Sequence, residues 1–61
     1  METTNDKLIR LRDVIEITTL RKTKIYDYIK KGIFPKQTKI GGSSVWSYNE
    51  VQDWIAQQLN K

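Results

Sequence analysis

Seven basic side chains crowd the stretch from Arg21 to Lys39: Arg21, Lys22, Lys24, Lys30, Lys31, Lys36 and Lys39, with Asp27 the one acid among them. Seven minus one gives that stretch +6, and the remaining four bases and six acids sum to −2, so the net charge of +4 is concentrated mid-chain. Hydroxyls are interleaved or close by, at Thr23, Tyr26, Ser43 and Ser44. Side chains of these types recognise polyanions: the cations neutralise phosphates, and lysine and hydroxyl groups bond phosphate oxygens or base edges. A basic surface kept only for solubility is the plainer reading, and the uneven distribution argues against it.

The rest of the inventory excludes most other chemistry. The chain of 61 residues has no histidine and no cysteine. It therefore offers no disulfide framework, thiolate zinc site, thiol nucleophile or imidazole base. Asp13, Glu16, Asp27, Glu50 and Asp53 show no paired spacing suited to acid–base catalysis, and Gly41-Gly42 lacks the Lys-Ser/Thr that a phosphate loop requires. No catalytic, metal or cofactor site is expected. Apolar runs are short and broken by charge, so no membrane span is expected, and METTNDK does not read as a secretory leader. The expected setting is a reducing cytoplasm.

The elements that must position the cations follow from apolar spacing. Residues 1–6 carry no apolar anchor and read as a flexible tail, leaving 7–61 as a single domain near the lower size limit for an independent core. Lys7–Leu11 reads as a short extended segment with Leu8 or Ile9 on the core. Leu11, Val14 and Ile15 give a helical face to a first helix over Arg12 to about Ile17. After a turn at Thr18–Leu20, Ile25, Tyr28 and Ile29 give the same spacing to a second helix over about Lys22–Lys31, and Gly32 can end it in a left-handed conformation. Two short helices joined by three or four residues match a helix-turn-helix, in which the first braces the second and the start of the second meets the bases. Val14, Ile15, Leu20, Ile25 and Ile29 form the expected brace, which leaves Lys22, Thr23 and Tyr26 facing outward.

Pro35 then stops the helix, GGSS at 41–44 signals a turn, and residues 35–47 read as a β-hairpin with Lys36, Lys39, Ser43 and Ser44 as its exposed polar groups. Such a hairpin beside a recognition helix is a wing. Trp46 reads as a core anchor, with base stacking as the alternative. Ser47 and Glu50 have capping-box spacing for a third helix over about Tyr48–Gln58, whose core face carries Val51, Trp54, Ile55 and Leu59. The fold class expected is mostly α with a small β-hairpin: a winged helix-turn-helix of three helices plus wing.

Several motifs now stand in order: Thr18–Leu20, Ile25-Tyr26, the IKKGIFPK junction at Ile29–Lys36, Lys39-Ile40-Gly41, Trp46, Glu50-Val51 and Trp54-Ile55. Over about residues 8–59 the chain resembles the AlpA family of small phage-type transcriptional regulators. It is also similar to excisionase-like members of the MerR-type winged-helix group. The resemblance implies double-stranded DNA binding in prophages or related integrated elements, with Arg21, Lys22, Thr23, Lys24 and Tyr26, and then Lys36 and Lys39, facing DNA. It implies either transcriptional regulation or, as the alternative, a recombination directionality factor that bends DNA for an integrase; RNA polymerase or the recombinase would be a further partner. A lone module covers little DNA, so cooperative or dimeric binding is expected. A protein-binding adaptor or antirepressor is the reading from another class. Two departures stand out: Thr19 occupies a turn position where the family often has Gly, and Arg21 stands where it often has a Ser cap. The first forces a different turn or strain, and the second forgoes a favoured N-cap.

Overall fold

The computed structural model describes residues 5–60. In chain order it contains β1 (Leu8–Arg10), α1 (Leu11–Thr18), α2 (Lys22–Lys30), β2 (Thr38–Ile40), β3 (Ser43–Ser47) and α3 (Tyr48–Leu59). The three strands form one antiparallel sheet in the order β1-β3-β2. Three helices on a small antiparallel sheet are compatible with a winged-helix-like fold.

The sheet enlarges the expected hairpin. β1 pairs with the free edge of β3, Leu8 opposite Ser47, Ile9 opposite Trp46 and Arg10 opposite Val45. A two-stranded hairpin is marginal on its own, and the third strand joins the start of the chain to the hairpin. The extended segment expected at Lys7–Leu11 is this strand, with Ile9 buried; what the local pattern does not give is its partner. The hairpin turn is also tighter than GGSS suggested: only Gly41 and Gly42 turn, both at positive φ (56° and 85°), as a two-residue hairpin loop demands. Ser43 and Ser44 consequently belong to β3, opposite Ile40 and Lys39, and are half-buried rather than exposed.

The core is a cluster of Ile9, Val14, Ile25, Phe34, Trp46 and Val51, one residue from each helix and from β1 and β3, with Phe34 from the segment between α2 and β2. The expected brace is present: Val14 and Ile25 are fully buried, and Ile15, Leu20 and Ile29 pack against them. Trp46 is fully buried, and its indole N–H donates to the Pro35 carbonyl at 3.1 Å, so the ring has no face left for a base. Trp54 and Ile55 pack at the edge of the cluster, but Leu59 is 80% exposed, one turn beyond the point where α3 leaves the core.

Helix ends decide how these short elements hold their positions. Gly32 (φ 76°) closes α2 as expected: the Ile33 amide donates to Tyr28 and the Gly32 amide to Ile29, the paired bonds of a Schellman motif. At the end of α1 the departure from glycine is accommodated by strain. Thr19 adopts the left-handed conformation at φ 64°, at a cost of about 1–2 kcal/mol for a residue bearing a Cβ. Thr18 supports it, donating from its hydroxyl to the Val14 carbonyl at 2.7 Å and accepting from the Leu20 amide at 3.2 Å.

The start of α3 departs from the expected reciprocal box. The Ser47 hydroxyl accepts from the Glu50 amide at 3.2 Å, but the carboxylate that completes the cap belongs to Asp6. Asp6 accepts from the Ser47 hydroxyl and from the Asn49 amide (2.9 Å), and the Tyr48 amide donates to the Lys7 carbonyl. These bonds, chiefly the one from Ser47, hold the Asp6 carboxyl below its ordinary range. Of the tail expected over residues 1–6, residues 1–4 lie outside the described residues, and Asp6 is bonded to the start of α3.

Candidate nucleic-acid interface

The turn after α1 sets the direction of α2. Leu20 anchors it to the core, and Arg21 follows in extended conformation (φ −80°, ψ 160°) as the N-cap, with no side-chain bond to the helix. The first amides of an α-helix have no partner within the helix, and here the Arg21 side chain does not cap them. They carry the positive end of the helix dipole, and the side chains around them are Arg21, Lys22, Thr23 and Lys24, all exposed. An anion approaching this end meets backbone donors, the dipole and three full charges together.

These residues divide into two flanks. Arg21, Thr23 and Lys24 line a shallow cleft with Thr19, Leu20 and Asp27. The acid in that cleft is already engaged, since Asp27 pairs with Lys31 at 3.0 Å. Lys22 lies one helical turn before Tyr26, on the flank that packs toward the sheet. Tyr26 is half-buried, with its ring centroid 6.3 Å from that of Trp46. Its ring is thus part of the packing between α2 and the sheet, which leaves the edge of the side chain for a ligand.

The hairpin contributes unequally. Lys39 stands opposite Ser44, two residues before Trp46 on β3, and so shares the sheet face against which α2 packs. It is exposed there. Ser43 and Ile40 point to the other face of the sheet, so Ser43 is not brought together with the α2 cations. Lys36 is exposed in the segment before β2. Lys24 extends along α2, its ammonium 5.5 Å from the Tyr28 ring centroid. Asp6 escaped the reading of the residues in sequence, because its partners Ser47 and Asn49 lie more than forty residues away.

A family model described as "Prophage CP4-57 regulatory protein (AlpA)" matches residues 7–59, nearly the whole chain. The chain belongs to the AlpA family. This AlpA-family chain is also 35% identical over 57 residues to the "Uncharacterized protein ORF88" of Enterobacteria phage P4. That alignment takes in 92% of this chain and 65% of the phage protein, so the chain spans a little under two thirds of its relative. No solved structure matches. The family is described as one of prophage regulatory proteins. Among the described residues, no cluster of acids, histidines or cysteines is suited to a metal ion, and no helix is long and apolar enough to cross a membrane.

Proposed function

We propose that this AlpA-family chain is a phage or prophage regulator that binds double-stranded DNA in a sequence-dependent way, as a winged helix-turn-helix. In this reading α2 enters the major groove by its N-terminal turn, and the β2–β3 hairpin follows the neighbouring backbone as the wing. The observation that carries it is the uncapped start of α2, where Arg21, Lys22, Thr23 and Lys24 are exposed and held in place by α1. Lys22 and Thr23 serve as the base-reading pair, while Arg21, Lys24, Lys36 and Lys39 bind phosphates. Tyr26 adds a hydroxyl at the edge of the same surface. Ser43 and Ser44 are secondary contacts, limited by their half-buried positions in β3.

Transcriptional regulation and recombination direction use the same groove contacts and differ in what the bound DNA does next. An anisotropy titration on DNA flanking the chain's own gene, against scrambled duplex at two salt concentrations, tests the shared step. Preference for the flanking DNA, with affinity falling steeply as salt rises, is the expected result. Equal affinity for both duplexes removes sequence-specific regulation, and no binding at either salt removes DNA as the partner.

A further inference from the structure

The far end of α2 meets a different chemistry. Phe34 packs edge-on against Trp54, centroids 4.8 Å apart, and the Tyr28 ring lies 6.4 Å from Trp54. The Trp54 indole N–H donates to the Ile33 carbonyl at 2.6 Å, which fixes the ring between the α2 exit and α3. These three rings line an open cleft whose α3 rim carries Glu50 and Asp53. Both carboxylates are exposed, and neither forms an ion pair with any described residue, although the chain holds eleven bases against seven acids.

We infer that this cleft is a second binding site, taking an arginine side chain from a basic segment of a partner protein. Charge complementarity selects the class of occupant: two unpaired carboxylates on an otherwise cationic molecule repel DNA and attract a cation. The aromatic lining selects arginine over lysine. A guanidinium is flat, weakly hydrated and able to stack on an indole while its N–H groups reach carboxylates at the edge, whereas an ammonium is a strongly hydrated point charge. Placement allows both partners at once. Glu50, Asp53 and Trp54 lie on α3 and Gly32 just past the end of α2, whereas Arg21, Lys22 and Thr23 stand at the start of that nine-residue helix of about 13 Å; Lys24 reaches toward the cleft, its ammonium 5.5 Å from the Tyr28 ring. The site goes beyond DNA binding and does not depend on it: it makes the chain an adaptor between an anionic and a cationic partner.

The two tryptophans make the test internal to the protein. Trp54 lines the cleft, and Trp46 is fully buried against Tyr26 on the side of the basic surface. The full chain is titrated with an end-blocked pentapeptide carrying two arginines, and with the same peptide carrying citrulline, while the two indole N–H resonances are followed by NMR. The expected result is a saturable shift of Trp54 with Trp46 unmoved, and about tenfold weaker binding for the citrulline peptide and for the Glu50→Gln/Asp53→Asn variant. Both substituted residues are exposed, and an unmoved Trp46 resonance reports that the variant is folded. An unchanged Trp54, equal shifts with both peptides, or an undiminished shift in the variant overturns the proposal. A Trp54 shift that follows protein concentration alone also overturns it, by assigning the cleft to a second copy of the chain.

Discussion

The starts of α2 and α3 are the same piece of backbone chemistry treated in opposite ways. At α3 the chain provides its own cap: the Ser47 hydroxyl takes the Glu50 amide, and Asp6 takes the Ser47 hydroxyl and the Asn49 amide. At α2 the N-cap is Arg21, which has no acceptor to offer, and two lysines follow it. An acid beside a helix N-terminus stabilises it and a base destabilises it, so the start of α2 carries charge of the unfavourable sign. The core of α1, Leu20 and Ile25 offsets that cost. One terminus is closed by the protein, and the other suits an external anion.

Reversing charge at the open terminus has the largest expected effect on function. Lys22→Glu places a carboxylate where the proposed reading places a phosphate or guanine. DNA affinity is expected to fall by about 1–3 kcal/mol, roughly five- to 150-fold, with a shallower dependence on salt. Because Lys22 is exposed and a carboxylate suits the start of a helix, the melting temperature should hold or rise slightly. Unchanged affinity in a variant that melts no lower than wild type removes the start of α2 from the interface.

Ser47→Ala sharpens the contrast from the closed side. It removes the acceptor for the Glu50 amide and a partner of Asp6, so a loss of about 1 kcal/mol is expected, or about 4–8 °C in melting temperature for a domain of this size. DNA affinity, measured where the variant is fully folded, is expected to stay at the wild-type value. A variant that loses affinity but no stability would place Ser47 in the interface and break the distinction between the two ends.

Arg21→Ser exchanges one treatment for the other within a single residue. A serine at this N-cap position supplies the missing acceptor and adds roughly 0.5–1 kcal/mol of stability. The same change removes a phosphate-binding charge and lowers DNA affinity, with the salt slope reduced by about one. Opposite signs in a thermal melt and a binding titration are the expected signature. Gains in both, or losses in both, contradict the view that the open end trades stability for recognition.

The same contrast explains what was legible in the sequence. Elements with repeated apolar spacing were legible: the three helices, the Val14–Ile25 brace and the burial of Trp46 all follow from local pattern. So was the basic surface at Arg21–Lys24, because charge and chain proximity coincide there. Long-range pairing was not. The strand at Leu8–Arg10 is defined by β3, more than thirty residues away, and the cap of α3 by Asp6, forty-one residues before Ser47. Ser43 and Ser44 were misplaced because a hydroxyl after diglycine suits a turn as well as a strand, and only the two-residue loop decides between them. The cleft at Trp54 was missed for a related reason: Glu50 and Asp53 read as a solvated helix face until Phe34 and Tyr28 are packed beside them.

The smallest expected effect comes from titrating the closed end. Hydrogen bonds from Ser47, Asn49 and Lys7 lower the Asp6 carboxyl below its ordinary value of 3.8, so the folded state holds the ionised form more tightly than the unfolded chain does. That stabilisation is fully present above the unfolded value and is lost as pH falls through the folded one, which places the change in the acid range below about pH 4 and leaves neutral pH untouched. Asp6→Asn keeps an oxygen to accept the Asn49 amide but cannot titrate. Thermal melts of the two proteins between pH 7 and pH 2 are expected to separate at neutral pH and converge at the acid end, since the remaining acids titrate in both. Parallel curves across the whole range would mean that the Asp6 bonds add nothing to the folded state, and that Ser47 alone closes the start of α3.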